Sequence, residues 1–295
     1  MMLCYAIINY HFAFTGLLTM KNVLIALGKA CCYTLLFILL QYAASFAYAL
    51  VAGAIAAVKQ LSSSGSIDYG TIVGTLYDTV TSGTTVIVLI SNICTILALV
   101  VFFALRKKNL LDEVGATPIP GAAYLPLSIA GMSLAVLVII ILNMLPISEE
   151  AFAEYTESTS VIDSSGFISM VSTVIFAPIA EEMIFRGLVY TRLKRAMPKW
   201  IAAVLQAALF GVLHGQILWI AYAFAVGLIL AAYFESTGSL FANITVHICF
   251  NLMGGYILSY IFTESTAVYI VFASVVLLTV CTKNAIRIAK SGKNI

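Results

Sequence analysis

Residues 83–105 read GTTVIVLISNICTILALVVFFAL, without a charge, and Arg106-Lys107-Lys108 follow at once. At about 1.5 Å per residue a helix of that length matches the roughly 30 Å hydrocarbon core of a bilayer. Lipid offers no partner to a free backbone N–H or C=O, so such a run spans as a helix. Working outward, comparable runs lie near 22–58, 123–145, 167–191, 199–214, 216–234, 239–262 and 265–282. By the length criterion the chain is an all-α polytopic bundle of about eight transmembrane helices. The run at 22–58 is long enough to be tilted, or to carry a segment outside the bilayer.

Composition agrees. Of 295 residues, 62% are hydrophobic and 9% charged, against about 45–50% and 25% in soluble domains. That excludes a disordered chain, a coiled coil, a disulfide-stapled secreted domain and a basic nucleic-acid-binding face, so no nucleic-acid partner is expected. The cysteines lie almost all in apolar runs and form no CxxC pair, which reads as small apolar helix residues.

The connections alternate in charge. Lys21 and Lys29 come first, and segment 59–82 holds Lys59 with Asp68 and Asp78. After Arg106-Lys107-Lys108, the stretch 146–165 is acidic, with Glu149, Glu150, Glu154, Glu157 and Asp163. Arg192, Lys194, Arg195 and Lys199 follow; the last hairpins hold Glu235 and Glu264, and the tail has Lys283, Arg287, Lys290 and Lys293. Basic residues accumulate on the cytoplasmic side. An even span count with both termini inside puts every basic cluster in the cytoplasm and the acidic loop outside, as expected of a multi-pass protein of the cell membrane. Met20-Lys21-Asn22 before an apolar run reads as a natural start. Residues 1–20 are therefore expected to be a non-structural extension, and 21–295 a single membrane domain. Ser62–Gly70 reads as a polar external loop, and Pro118 and Pro120 with Gly115 and Gly121 mark a turn segment.

Ionisable residues inside a membrane are functional-site hypotheses by default. Glu181-Glu182-Met183-Ile184-Phe185-Arg186 puts two carboxylates in an apolar run. Glu182 and Arg186 share a helix face and can pair, while Glu181 points about 100° away and is free for chemistry. Phe210-Gly211-Val212-Leu213-His214-Gly215 places a histidine deep in the fifth run, with a GxxxG that lets another backbone approach. His247 and Asn251, four apart, face one side of a later run. Each cluster alone also reads as packing: an ion-pair knot, a hydrogen-bonded histidine, an interhelical amide. Glu181, His214, His247 and Asn251 fall at similar depth on three helices, which favours a site.

Carboxylate and imidazole can activate a water as general base, while a second imidazole and an amide stabilise an oxyanion. That suits peptide hydrolysis. His214, His247 and Glu181 could equally hold zinc with a water in the open position. No HExxH, no Gly-x-Ser-x-Gly elbow and no second intramembrane aspartate appears. Ser164-Ser165-Gly166 reads as a helix cap.

The three motifs, in this order, resemble those of the CAAX protease and bacteriocin-processing (CPBP, or Abi) family of intramembrane proteases. Its pattern EExxxR, FxxxH, HxxxN is met by Glu181-Glu182…Arg186, Phe210…His214 and His247…Asn251, over about residues 167–262. Thr237-Gly238-Ser239-Leu240 is also similar to bacterial members. The resemblance implies an endopeptidase acting on a peptide or membrane-protein substrate within the bilayer. It implies Glu181 as base helped by His214, His247 and Asn251 as the oxyanion pair, and Glu182 and Arg186 as supports. It implies either zinc or a metal-free glutamate mechanism. The compact hairpins point to a bacterial protein. The competing readings are a non-catalytic bacteriocin-immunity or peptide-binding membrane protein that keeps the pocket, and a proton-coupled carrier, for which inverted repeats would be expected.

Overall fold

A computed structural model describes the backbone of residues 2–160, 166–263 and 265–291, with side chains from Met20 onward except 159–160. Asp163, Ser164, Ser165, Glu264 and Lys293, and the side chains of 1–19, lie outside the described residues. No strand occurs among those described. The helices are α1 (Met2–Ser64), α2 (Tyr69–Ser82), α3 (Thr84–Leu105), α4 (Leu110–Val114), α5 (Tyr124–Met144) and α6 (Glu149–Ser160). They continue with α7 (Phe167–Leu193), α8 (Lys199–Val212), α9 (Ile217–Thr237), α10 (Leu240–Ile261) and α11 (Ala267–Ser291).

The chain is inside-out relative to a soluble domain. Leu24, Leu39, Phe46, Leu105, Tyr260 and Phe272 are exposed, whereas Ser91, Asn92, Glu182, Arg186, Gln206 and Asn243 are buried. So large an apolar exterior is untenable in water, and polar side chains facing a bundle interior are the membrane pattern.

Among the described residues seven helices are long and apolar enough to cross a membrane, against the about eight expected. The remaining run, 199–214, forms α8 of 14 residues, which rises only about 21 Å. From Met20 to Ser64, α1 is one helix of 45 residues, about 68 Å long, so part of it stands outside the hydrocarbon. Two expected loops prove partly helical. Asp68 caps α2 by accepting from the Gly70 and Thr71 N–H groups, which leaves only residues 65–68 as turn. In the acidic segment, Ser148 Oγ accepts from the Ala151 N–H at 3.2 Å and starts α6, whose first turn holds Glu149 and Glu150, favourable to the helix dipole.

Close backbone approaches fix the bundle. A Cβ on Gly131 of α5 would lie 2.3 Å from the Val246 carbonyl of α10, and one on Gly187 of α7 would lie 2.7 Å from Val114 of α4. Gly211 of α8 faces the Ile220 carbonyl of α9 at 2.9 Å from its ideal Cβ, as its place in the GxxxG predicts. Gly215 differs: nothing lies near its Cβ position, and its φ of +78° serves the α8–α9 turn instead. The 115–120 turn is tied down where the Leu240 N–H donates to the Gly115 carbonyl at 2.8 Å and the Ser239 hydroxyl donates to the Thr117 carbonyl.

The basic end is cross-linked by carboxylates. Glu113 pairs with Lys108 at 2.7 Å and Arg192 at 2.5 Å. Glu235 pairs with Lys194, and with Lys199 at 2.6 Å. Glu235, read from sequence as lying in a hairpin without basic residues, thus sits among lysines supplied by α7 and α8. Trp200, exposed beside Lys199, fits the aromatic belt of a membrane interface.

Candidate active site

The site is built around an irregular helix. In α7 the α-helical turn Ala177–Glu182 is flanked by π-helical stretches, Val171–Phe176 and Met183–Tyr190. Pro178 explains the first. Proline has no N–H, and its ring clashes with the carbonyl four residues earlier. Widening the turn relieves the clash, and the Ala177 N–H reaches the Ser172 carbonyl. The Thr173 carbonyl, whose π-helical partner would be Pro178, is left to a side chain: the Asn251 amide donates to it at 2.8 Å.

The adjacent glutamates then have opposite surroundings. Glu182 is fully buried. Its Oε1 accepts from Arg186 Nη1 at 2.7 Å and His247 Nδ1 at 2.9 Å, and its Oε2 from Asn243 Nδ2 at 3.2 Å. Charge-assisted donors of this kind are what a buried carboxylate requires. The Glu182–Arg186 pair is the one read from the sequence. Arg186 also lies 4.5 Å from the Phe210 ring centroid, a cation–π contact, and is 3.4 Å from the Gly227 carbonyl, which Gln206 also reaches at 3.0 Å.

Glu181 has none of those donors. Its side chain is 19% exposed, and Oε2 lies 3.7 Å from His247 Nε2. The carboxylate of Glu182 can only accept, so Nδ1 of His247 carries the proton and Nε2 is the atom turned to Glu181. His247 therefore bridges the two carboxylates. The expected partner of Glu181, His214, lies not deep in a span but in the turn just past the end of α8 at Val212, where Nδ1 donates back to the Phe210 carbonyl at 2.9 Å. Its ring lies between Phe210 and Trp219, at centroid distances of 4.9 and 5.2 Å. Phe210 neighbours both imidazoles, with the His247 ring centroid at 6.1 Å. Among the described residues His214 makes no hydrogen bond to Glu181.

Asn251 lies farther along α10, held by the Thr173 carbonyl, with one amide hydrogen left. Two residues escaped the sequence reading, Asn243 and Gln206. Each stands a helical repeat before a motif position, Asn243 four before His247 and Gln206 four before Phe210. That spacing was the available signal. At the end away from the basic clusters, Gln216 donates to the Ala151 carbonyl at 3.3 Å, and Tyr155 of α6 meets Tyr222 of α9 at 6.2 Å. The α6 helix thus packs on the turn end of the α8–α9 hairpin.

The expected zinc set does not converge. Among the described residues no three His, Cys, Asp or Glu side chains group as ligands. Nδ1 of His247 is held on Glu182 and Nδ1 of His214 on the Phe210 carbonyl. As placed, His214, His247 and Glu181 do not fit a bound metal.

The family model described as Type II CAAX prenyl endopeptidase Rce1-like matches residues 163–253. That stretch holds all three motifs, and it agrees with the CAAX-protease family that they resemble. No curated protein and no solved structure matches the chain.

Proposed function

We propose that the protein is an intramembrane endopeptidase of the cell membrane, with both termini cytoplasmic, that cleaves peptide or membrane-protein substrates with a glutamate-activated water. The observation that supports it most is the division between the adjacent carboxylates. Glu182 is saturated with donors and fully buried; Glu181 is partly open, with His247 Nε2 3.7 Å from its Oε2. One is committed to structure and the other is free for proton transfer.

In this reading Glu181 takes a proton from water as the oxygen attacks the scissile carbonyl, then delivers it to the leaving amine. His247, oriented through Nδ1 by Glu182, presents Nε2 to Glu181 and, when protonated, to the developing oxyanion. The remaining amide hydrogen of Asn251 is the second oxyanion donor. His214, its Nδ1–H fixed on the Phe210 carbonyl, offers the Nε2 lone pair to orient the water. No step is assigned to a metal.

The test is cleavage of a quenched peptide library by the purified full-length protein, its Glu181→Gln variant, and the wild type with a chelator. Cleavage by wild type that survives the chelator and falls about 10²-fold or more in Glu181→Gln supports the reading. Reversible loss with the chelator and recovery with zinc would assign the water to a metal instead. Peptide binding without cleavage would move the protein to the non-catalytic class.

A further inference from the structure

A polar cavity lies away from the glutamates, at the basic end of the bundle. It encloses about 320 Å³ between α1, α3, α4 and the end of α7. Its polar wall holds Lys29, Arg106, Lys108, Arg192 and Arg195 against one acid, Glu113. Glu113 is already engaged by Lys108 and Arg192. Among the described residues Lys29, Arg106 and Arg195 have no ion-pair partner, so a net positive charge faces the cavity. Tyr33 and Asn22 add further polar groups to its lining.

The remaining wall is apolar and open to the lipid side. Ile25 and Phe102 line the cavity and are exposed, and Leu24, Val101 and Leu105 continue the exposed surface on the same two helices. A basic chamber at the membrane rim, joined to an apolar outer wall, matches a ligand with an anionic head and hydrocarbon tails. A soluble phosphate would use only the first part.

We propose that this cavity binds the headgroup phosphate of one anionic phospholipid from the leaflet on the basic side, its acyl chains lying along α1 and α3. Basic pockets between transmembrane helices on the cytoplasmic side are suited to such headgroups. Bound there, the lipid links α1 and α3 to the end of α7, the helix that carries Glu181 and Glu182, and so ties the N-terminal helices to the catalytic segment.

The experiment is native mass spectrometry of the full chain in neutral detergent, titrated with phosphatidylglycerol, phosphatidylcholine or sn-glycerol 3-phosphate. Wild type is expected to retain one phosphatidylglycerol and to discriminate against phosphatidylcholine. The exposed, unpaired Lys29 and Arg195 can be removed without opening the core, and Lys29→Ala with Arg195→Ala should weaken phosphatidylglycerol binding about thirty-fold. Lys283→Ala with Arg287→Ala, on α11 outside the cavity, should leave it unchanged. Equal retention of phosphatidylcholine, or an equal loss in the α11 variant, would overturn the site. Displacement of the lipid by equimolar glycerol phosphate would assign the cavity to a soluble phosphate instead. Peptide cleavage is not part of the readout, so failure here is separate from failure of the peptidase reading.

Discussion

Asn251 donates from α10 to the Thr173 carbonyl of α7 at 2.8 Å, at the point where Pro178 leaves that carbonyl without a helical partner. The third motif thus repairs a defect that a proline makes just before the first. The polar residue holds the irregular helix that presents the glutamates, and this role is separable from oxyanion binding.

Asn251→Ala should cost about 1–3 kcal/mol of stability, the penalty of orphaning a buried carbonyl. In a Pro178→Ala background, where the backbone N–H at 178 returns, the same change should cost less than half as much. Thermal unfolding of the four proteins in one detergent measures the coupling. Peptidase activity that stays low in the double variant despite recovered stability would locate Asn251 in the chemistry as well.

The adjacent glutamates should respond differently to the same isosteric change. Glu181→Gln should keep the wild-type unfolding temperature and lose activity about 10²-fold or more. Glu182→Gln leaves Arg186 buried without its counter-charge, a defect worth about 3–5 kcal/mol, and should lose stability and activity together. Equal unfolding temperatures for the two variants would contradict the division of roles.

Gly131 is far from every motif in sequence, yet it packs against the Val246 carbonyl, one residue before His247, and against Cys249 within the third motif. Gly131→Ala should force α5 from α10 and cost about 1–3 kcal/mol by overpacking. It should also reduce cleavage by moving His247 off Glu182. Gly255→Ala, with open space at its Cβ, is the matched control and should do neither.

Outside the spans, the hydrogen bond from Lys108 holds the Glu113 carboxyl below the ordinary carboxylate range; burial opposes it, and the charges of Arg192, Lys108 and Arg195 add to it. A carboxylate with a depressed native pKa stabilises the fold above its unfolded pKa, and that contribution is lost as pH falls through the native pKa. Glu113→Gln should therefore unfold at lower temperature than wild type at pH 7. The gap should close as the pH drops below about 4. A gap that is constant with pH would rule out the charge as its source.

Several features were legible in the sequence for stated reasons. Apolar runs of spanning length gave the bundle, because lipid permits little else. The Glu182–Arg186 pair followed from four-residue spacing, and the approach at Gly211 from its GxxxG. Which histidine adjoins Glu181 was not legible. The resemblance implied His214, whereas the packing of α10 on α7 brings His247 to both glutamates, a contact between helices that no spacing within one run encodes. Asn243 and Gln206 were passed over because a lone amide in an apolar run has no partner until another helix supplies one. The segments at 62–70 and 146–165 read as loops on polarity, but polarity excludes a segment from lipid and not from a helix.

One consequence remains in the early end of α8. A helix stops with its last carbonyls lacking N–H donors, and in hydrocarbon each such group is costly. The Phe210 carbonyl is served by His214 Nδ1, and the Gly211 and Val212 carbonyls accept from the His214 and Gly215 N–H groups at 3.0 and 3.2 Å. The short helix that carries His214 thus seals its own terminus with protein donors, and can stop short of a full crossing without exposing unpaired backbone to lipid.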